Sequence, residues 1–137
     1  MTNEAFLKNL QAITAKEQNA QTTAEFAAAF LEGCAEELKI YTMGITAPDN
    51  ADEVHPLFIG PENNRMMLCY TSTEEAGKFH RKLAEQDTRK LICMPVAAET
   101  VLSTALADPA VQAIGFDLDG DHSVVVGRAV FEAILHK

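Results

Sequence analysis

Near the start of the chain Phe6, Leu7, Leu10 and Ile13 recur at helical spacing. With Thr2 or Asn3 as a cap they predict an amphipathic helix over residues 3–16. The polar run from Lys16 to Gln21 closes that pattern. A second helix is expected from Thr22, because Thr22 and Glu25 have capping-box spacing and Phe26, Phe30, Leu31 and Cys34 share a face, with Gly33 near its end. Leu38, Ile40 and Thr42 then alternate with Lys39, Tyr41 and Met43, which predicts a strand over 37–43. Residues 46–53, with Pro48, Asp49, Asn50 and Asp52, read as a loop. Residues 55–59 and 65–71, joined by the polar connection 60–64, read as an antiparallel hairpin.

Ser72 and Glu75 form a capping box directly after this strand, so a helix is expected to begin there. Ala76, Phe79 and Leu83 would make its buried stripe, with Glu74, Lys78, Arg81 and Lys82 in water. The near-continuous apolar run Leu91 to Val96 predicts a strand covered on both faces. A helix over 99–106 follows and stops at Asp108-Pro109. Residues 113–116 and 123–126 read as strands around an acidic turn, and Val130, Phe131, Ile134 and Leu135 mark a last helix.

The order of elements predicts an α+β fold: a mixed parallel and antiparallel sheet of five or six strands, packed with helices. Parallel neighbours come from the strand-helix-strand steps between 65 and 117, and antiparallel ones from the hairpins. There is no repeat and no linker, so one domain is expected over 1–137. Its helical segment would span about 3–34 and its sheet-containing core about 37–137.

One stretch, Met66-Met67-Leu68-Cys69-Tyr70-Thr71-Ser72-Thr73-Glu74-Glu75 through Leu91-Ile92-Cys93-Met94-Pro95-Val96 and the following helix, resembles the SseB (enhanced serine sensitivity) N-terminal domain family. Tyr70-Thr71-Ser72 stands at that family's aromatic-Thr-Ser step, and Met94-Pro95-Val96 at the strand end leading into its next helix. The ending from Ala113 through the helix at Arg128 is also similar. Where family members often carry Asn-Pro, this chain has Asp117-Leu118. The resemblance implies a non-catalytic domain of regulatory or unknown function, with no catalytic residue set.

Charge and composition narrow the function classes. A formal charge of −9 disfavours nucleic acid and anionic lipid, since the only basic pairs are Arg81-Lys82 and Arg89-Lys90. No apolar stretch has the length of a membrane span, and the N-terminus lacks a secretion signal, so a cytoplasmic protein is expected. Three widely spaced cysteines, Cys34, Cys69 and Cys93, read as reduced thiols in the core.

The string Phe116-Asp117-Leu118-Asp119-Gly120-Asp121 matches the start of a haloacid-dehalogenase phosphatase motif. That chemistry needs further carboxylates and a Lys downstream, and only sixteen residues follow Asp121. A hairpin turn is the expected reading. As a cation loop, Asp117, Asp119 and Asp121 have alternate spacing, but Gly120 falls too early for a Ca²⁺ loop. His55, His80, His122 and His136 are scattered, and Ser72 is accounted for as a cap.

No catalytic residue, cofactor or metal site is therefore assigned. The expected function is binding, to a protein partner or to a second copy of the chain. The alternative is a small-molecule sensor or weak enzyme with a pocket at the strand ends near Tyr70, Thr71 and Pro95.

Overall fold

The computed structural model describes residues 2–47, 50–56, 58–84, 91–118 and 123–135, with the backbone only for 45–47, 50–56, 79–84 and 91. The order is α1 (Asn3–Thr14), α2 (Ala20–Ala35), β1 (Lys39–Ala47), β2 (Asn50–Pro56), β3 (Phe58–Ile59), β4 (Arg65–Tyr70), α3 (Thr73–Ala84), β5 (Leu91–Ala97), α4 (Ala98–Ala107), β6 (Val111–Phe116), β7 (Val124–Gly127) and α5 (Arg128–Leu135). The fold is α+β, with the seven strands among the described residues in one mixed sheet.

The helix starts follow local chemistry. Thr2 caps α1 by accepting from the Ala5 N–H at 3.1 Å, while Asn3 reaches away to accept from the Lys39 N–H at 2.6 Å. The second helix begins earlier than its expected Thr22–Glu25 signal. Asn19 is the cap, and Thr22 answers it from the N3 position, each side chain accepting from the other's backbone N–H at 3.0 and 2.8 Å. The Asn19 box wins because it adds a helical turn and buries Thr22. For α3 half of the expected box forms: the Glu75 N–H donates to Ser72 Oγ at 3.1 Å, but the Glu75 carboxylate turns to Lys78 instead of back to the Ser72 N–H.

β1 lies between β5 on one edge and β4 on the other, antiparallel to both. It meets β4 only at Tyr41–Tyr70 and Thr42–Cys69. Beyond that point the two strands diverge, β1 pairing with β2 and β4 with β3 along the same edges. The segment 46–53, expected as a loop, is thus largely the β1–β2 hairpin, because its backbone groups have a ladder to join despite its polar sequence. Pro48 and Asp49 lie outside the described residues.

Parallel pairing occurs between β4 and β6. The chain runs from β4 through α3 to β5 and back through α4 to β6, crossing the sheet in opposite directions. Right-handed crossovers in opposite directions place α3 and α4 on opposite faces. On one face α1, α2, α4 and α5 enclose the main core, where Phe116 meets Phe26 at 4.6 Å and Phe30 at 5.2 Å between ring centroids. On the other, Met43, Leu68, Tyr70 and Ala76 pack beneath α3.

β5 departs from expectation. Among the described residues it pairs with β1 alone, so it is an edge strand, with Cys93 and Pro95 exposed. Proline lacks a backbone N–H and is tolerated where no neighbour needs that donor. The reading of Cys93 as a core thiol is corrected accordingly; Cys69 is buried and Cys34 half-buried. No described helix is long and apolar enough to cross a membrane.

Candidate functional site

The parallel strands β4 and β6 end side by side, and the residues that follow them form the floor of a polar cleft. Alternation along β4 sends Cys69 into the main core and Tyr70 beneath α3, and Thr71 follows at the strand end. Asp117 follows β6 and extends the ladder by donating its N–H to the Cys69 carbonyl at 3.0 Å. Its φ of 55° lies in the left-handed region, which Asp and Asn enter more readily than other side-chain-bearing residues.

That backbone turn aims the Asp117 carboxylate at Thr71. Oδ1 accepts from the Thr71 N–H at 2.7 Å and Oδ2 accepts from the Thr71 hydroxyl at 2.6 Å. Gln11, from α1, donates its amide N–H to Thr71 Oγ1 at 3.2 Å and to the Thr71 carbonyl at 3.4 Å. One hydrogen-bonded chain, Gln11 to Thr71 to Asp117, thereby ties α1, the β4–α3 turn and the end of β6 together. Thr71 and Asp117 are 1% and 2% exposed, so the two bonds to the carboxylate are sheltered from water.

Burial pushes the Asp117 carboxyl above the ordinary carboxylate range. The bonds from Thr71 and the charge of Lys78 oppose that shift, and the neighbouring Glu75 carboxylate adds to it. Glu75 itself bonds Lys78 through Oε1 at 3.0 Å, while its buried Oε2 has no hydrogen-bond donor among the described residues. Glu74 and Glu75 stand in the first turn of α3, where the helix dipole favours negative charge.

Gln11, Thr14, Thr71, Ser72, Glu74, Glu75 and Asp117 line a cleft of about 310 Å³ between α1 and the start of α3. Every charged side chain in that lining is acidic. Among the described residues no Lys or Arg forms an ion pair with Asp117. A second hollow of about 230 Å³, lined by residues that include Glu4, Leu7 and Tyr41, shares Gln11, Thr71 and Ser72 with the first.

The three residues singled out from sequence reach the same end of the sheet but not one hollow. Thr71 is in the cleft, and Tyr70 is buried on the α3 face. Pro95, in one row with Tyr41 and Tyr70, is exposed on the β5 edge. Of the acidic trio, Asp117 is a cleft residue, while Asp119 and Asp121 lie outside the described residues. The described residues hold no group of three or more His, Cys, Asp or Glu suited to a metal ion. Sequence reasoning missed Gln11, Thr14 and Glu75. Gln11 and Thr14 carried no signal, since a polar residue on an amphipathic helix reads as solvated.

This set offers carboxylates, hydroxyls and an amide as hydrogen-bonding groups. Ser72 Oγ is occupied as a helix cap, and among the described residues no basic group lines the cleft. Burial, with the Asp117 charge behind it, raises the Cys69 thiol far above its usual value, burial and Glu99 push Cys34 up to about 11, and burial raises Cys93. No known protein family, no curated protein and no solved structure matches this chain.

Proposed function

We propose that this chain is a non-catalytic binding domain, of the regulatory kind its SseB-like sequence implies, and that the cleft receives a positively charged alkylammonium or guanidinium group. The observation that carries this reading is Asp117. A carboxylate almost wholly removed from water, held by Thr71 and with no ion-pair partner among the described residues, where Lys78 acts on it only through its charge while bonded to Glu75, is costly to the fold, and a fold keeps such a group where its charge is used. Gln11, Thr14 and Ser72 add neutral polar groups around the incoming donor, and Glu75 adds a second carboxylate.

The volume of about 310 Å³ suits one basic side chain of a partner protein or one small free amine. The overall charge of −9 favours approach of either.

Thermal shift at neutral pH tests the reading across chemical classes. A lysine-containing peptide and free alkylamines form two arms, with matched carboxylates and phosphates as comparison. Cationic ligands are expected to raise the melting temperature in a saturable way and anionic ones to leave it unchanged. A response only to the peptide assigns the group to a protein partner, and a response to free amines assigns it to a small molecule. A response to anions alone contradicts the reading.

A further inference from the structure

The two hollows along α1 have a common wall, and one side chain in that wall can be removed without taking apart the fold. Thr71 holds Asp117 and Ser72 caps α3, so both are fixed by other duties. Among the described residues the Gln11 side chain bonds only Thr71, and those 3.2 and 3.4 Å lengths are longer than the usual 2.9–3.0 Å for N–H···O. Its backbone is secure inside α1, whose buried residues Phe6, Leu10 and Ile13 hold the helix to the core.

Resting on the cation-binding reading above, we infer that the two hollows are parts of one groove and that the Gln11 side chain is the partition that sets the length of ligand accepted. On the far side of the partition lie Leu7 and Tyr41, which offer apolar surface to an alkyl chain, and the Glu4 carboxylate, which offers a partner to a second ammonium. Glu4 is exposed and is paired at 3.2 Å with Lys8, which lines the same hollow; this is a surface i,i+4 contact of small strength, so an incoming ammonium must displace it. With Gln11 in place, a ligand is confined to the hollow around Asp117. With Gln11 truncated, a longer chain reaches both Asp117 and Glu4.

Calorimetric titration with a three-carbon and an eight-carbon α,ω-diamine tests this in the wild type, Gln11→Ala and Gln11→Ser. The wild type is expected to prefer the short diamine. Both truncations are expected to raise the ratio of long to short affinity by about tenfold or more, the scale on which added methylenes in a pocket are discriminated. A merely structural role for Gln11 would weaken both diamines together and leave the ratio unchanged, which overturns the inference while leaving the cation reading intact. If neither diamine binds the wild type or either variant, the cation reading itself fails and the partition fails with it. Gln11→Ser keeps the ratio measurable should Gln11→Ala fold poorly.

Discussion

Asp117→Asn and Asp117→Ala separate what the carboxylate does for the fold from what its charge does for binding. The alanine variant removes two short hydrogen bonds and strands the buried Thr71 N–H, which donates to no other acceptor among the described residues. Bonds to a charged group contribute about 1.5–3 kcal/mol each. Relief of the buried charge offsets part of that loss, leaving a net destabilisation of about 2–3 kcal/mol. For a chain of this size that is a fall of roughly 10 °C in melting temperature.

The asparagine variant keeps the geometry. Its carbonyl accepts from the Thr71 N–H, its amide donates to Thr71 Oγ1, and the Gln11 amide can turn to accept the displaced hydroxyl proton. It carries no buried charge, so its stability at neutral pH is expected to equal or exceed the wild type's by up to about 1 kcal/mol, while binding of a cation is lost.

The sign of the pH dependence follows from the raised Asp117 carboxyl. The native state holds this proton more tightly than the unfolded state. This residue's contribution is therefore most favourable at and below the ordinary carboxylate value and is lost as pH rises through the raised one. Asp117→Asn removes that component, so its advantage over wild type should shrink on acidification. Chemical melts of the three proteins at neutral pH and at about pH 4 read all of this. An alanine variant as stable as wild type, or an asparagine variant as damaged as alanine, refutes the reasoning.

Other consequences are local. The Arg128 guanidinium gathers the carbonyls of Ala105, Leu106, Asp108 and Val111 at 2.5–3.1 Å, closing the end of α4 against β6, so Arg128→Ala should cost about 2–4 kcal/mol in a urea melt. Arg128→Lys should recover only part of this, because an ammonium cannot span the four acceptors as a planar fork does. Asn19→Ala should cost about 1 kcal/mol, while Glu25→Ala, outside the capping box, should cost less than half of that. Under native conditions a thiol reagent should modify Cys93 first and Cys69 only on unfolding; rapid labelling of Cys69 in the native protein would contradict the buried position.

Sequence legibility tracked how local the deciding interaction was. The Ser72–Glu75 cap, the helical stripe of α1 and the strand alternation at Leu38–Met43 each depend on neighbours within a few residues, and each was readable. The β1–β2 hairpin was not, since its polar residues look like loop until the ladder they join is known. Leu91–Val96 misled because an apolar run resembles a central strand, yet Pro95 within it was the available sign of an edge. Asp117 was visible only as a turn residue. Its meaning comes from Thr71, forty-six positions away, and from Gln11, a further sixty, contacts that no local pattern encodes.

The most direct test of the cation-binding cleft is a nuclear magnetic resonance titration that follows the backbone amides of Gln11, Thr71, Ser72 and Asp117 as N-acetyl-lysine methylamide is added at neutral pH. Its Nε-acetylated counterpart, which keeps the alkyl arm and lacks the charge, is run beside it. Saturable shifts at those four amides with the charged ligand, absent with the acetylated one and abolished in Asp117→Asn, are the predicted result. Equal shifts from both ligands, or none at these residues from either, would contradict it.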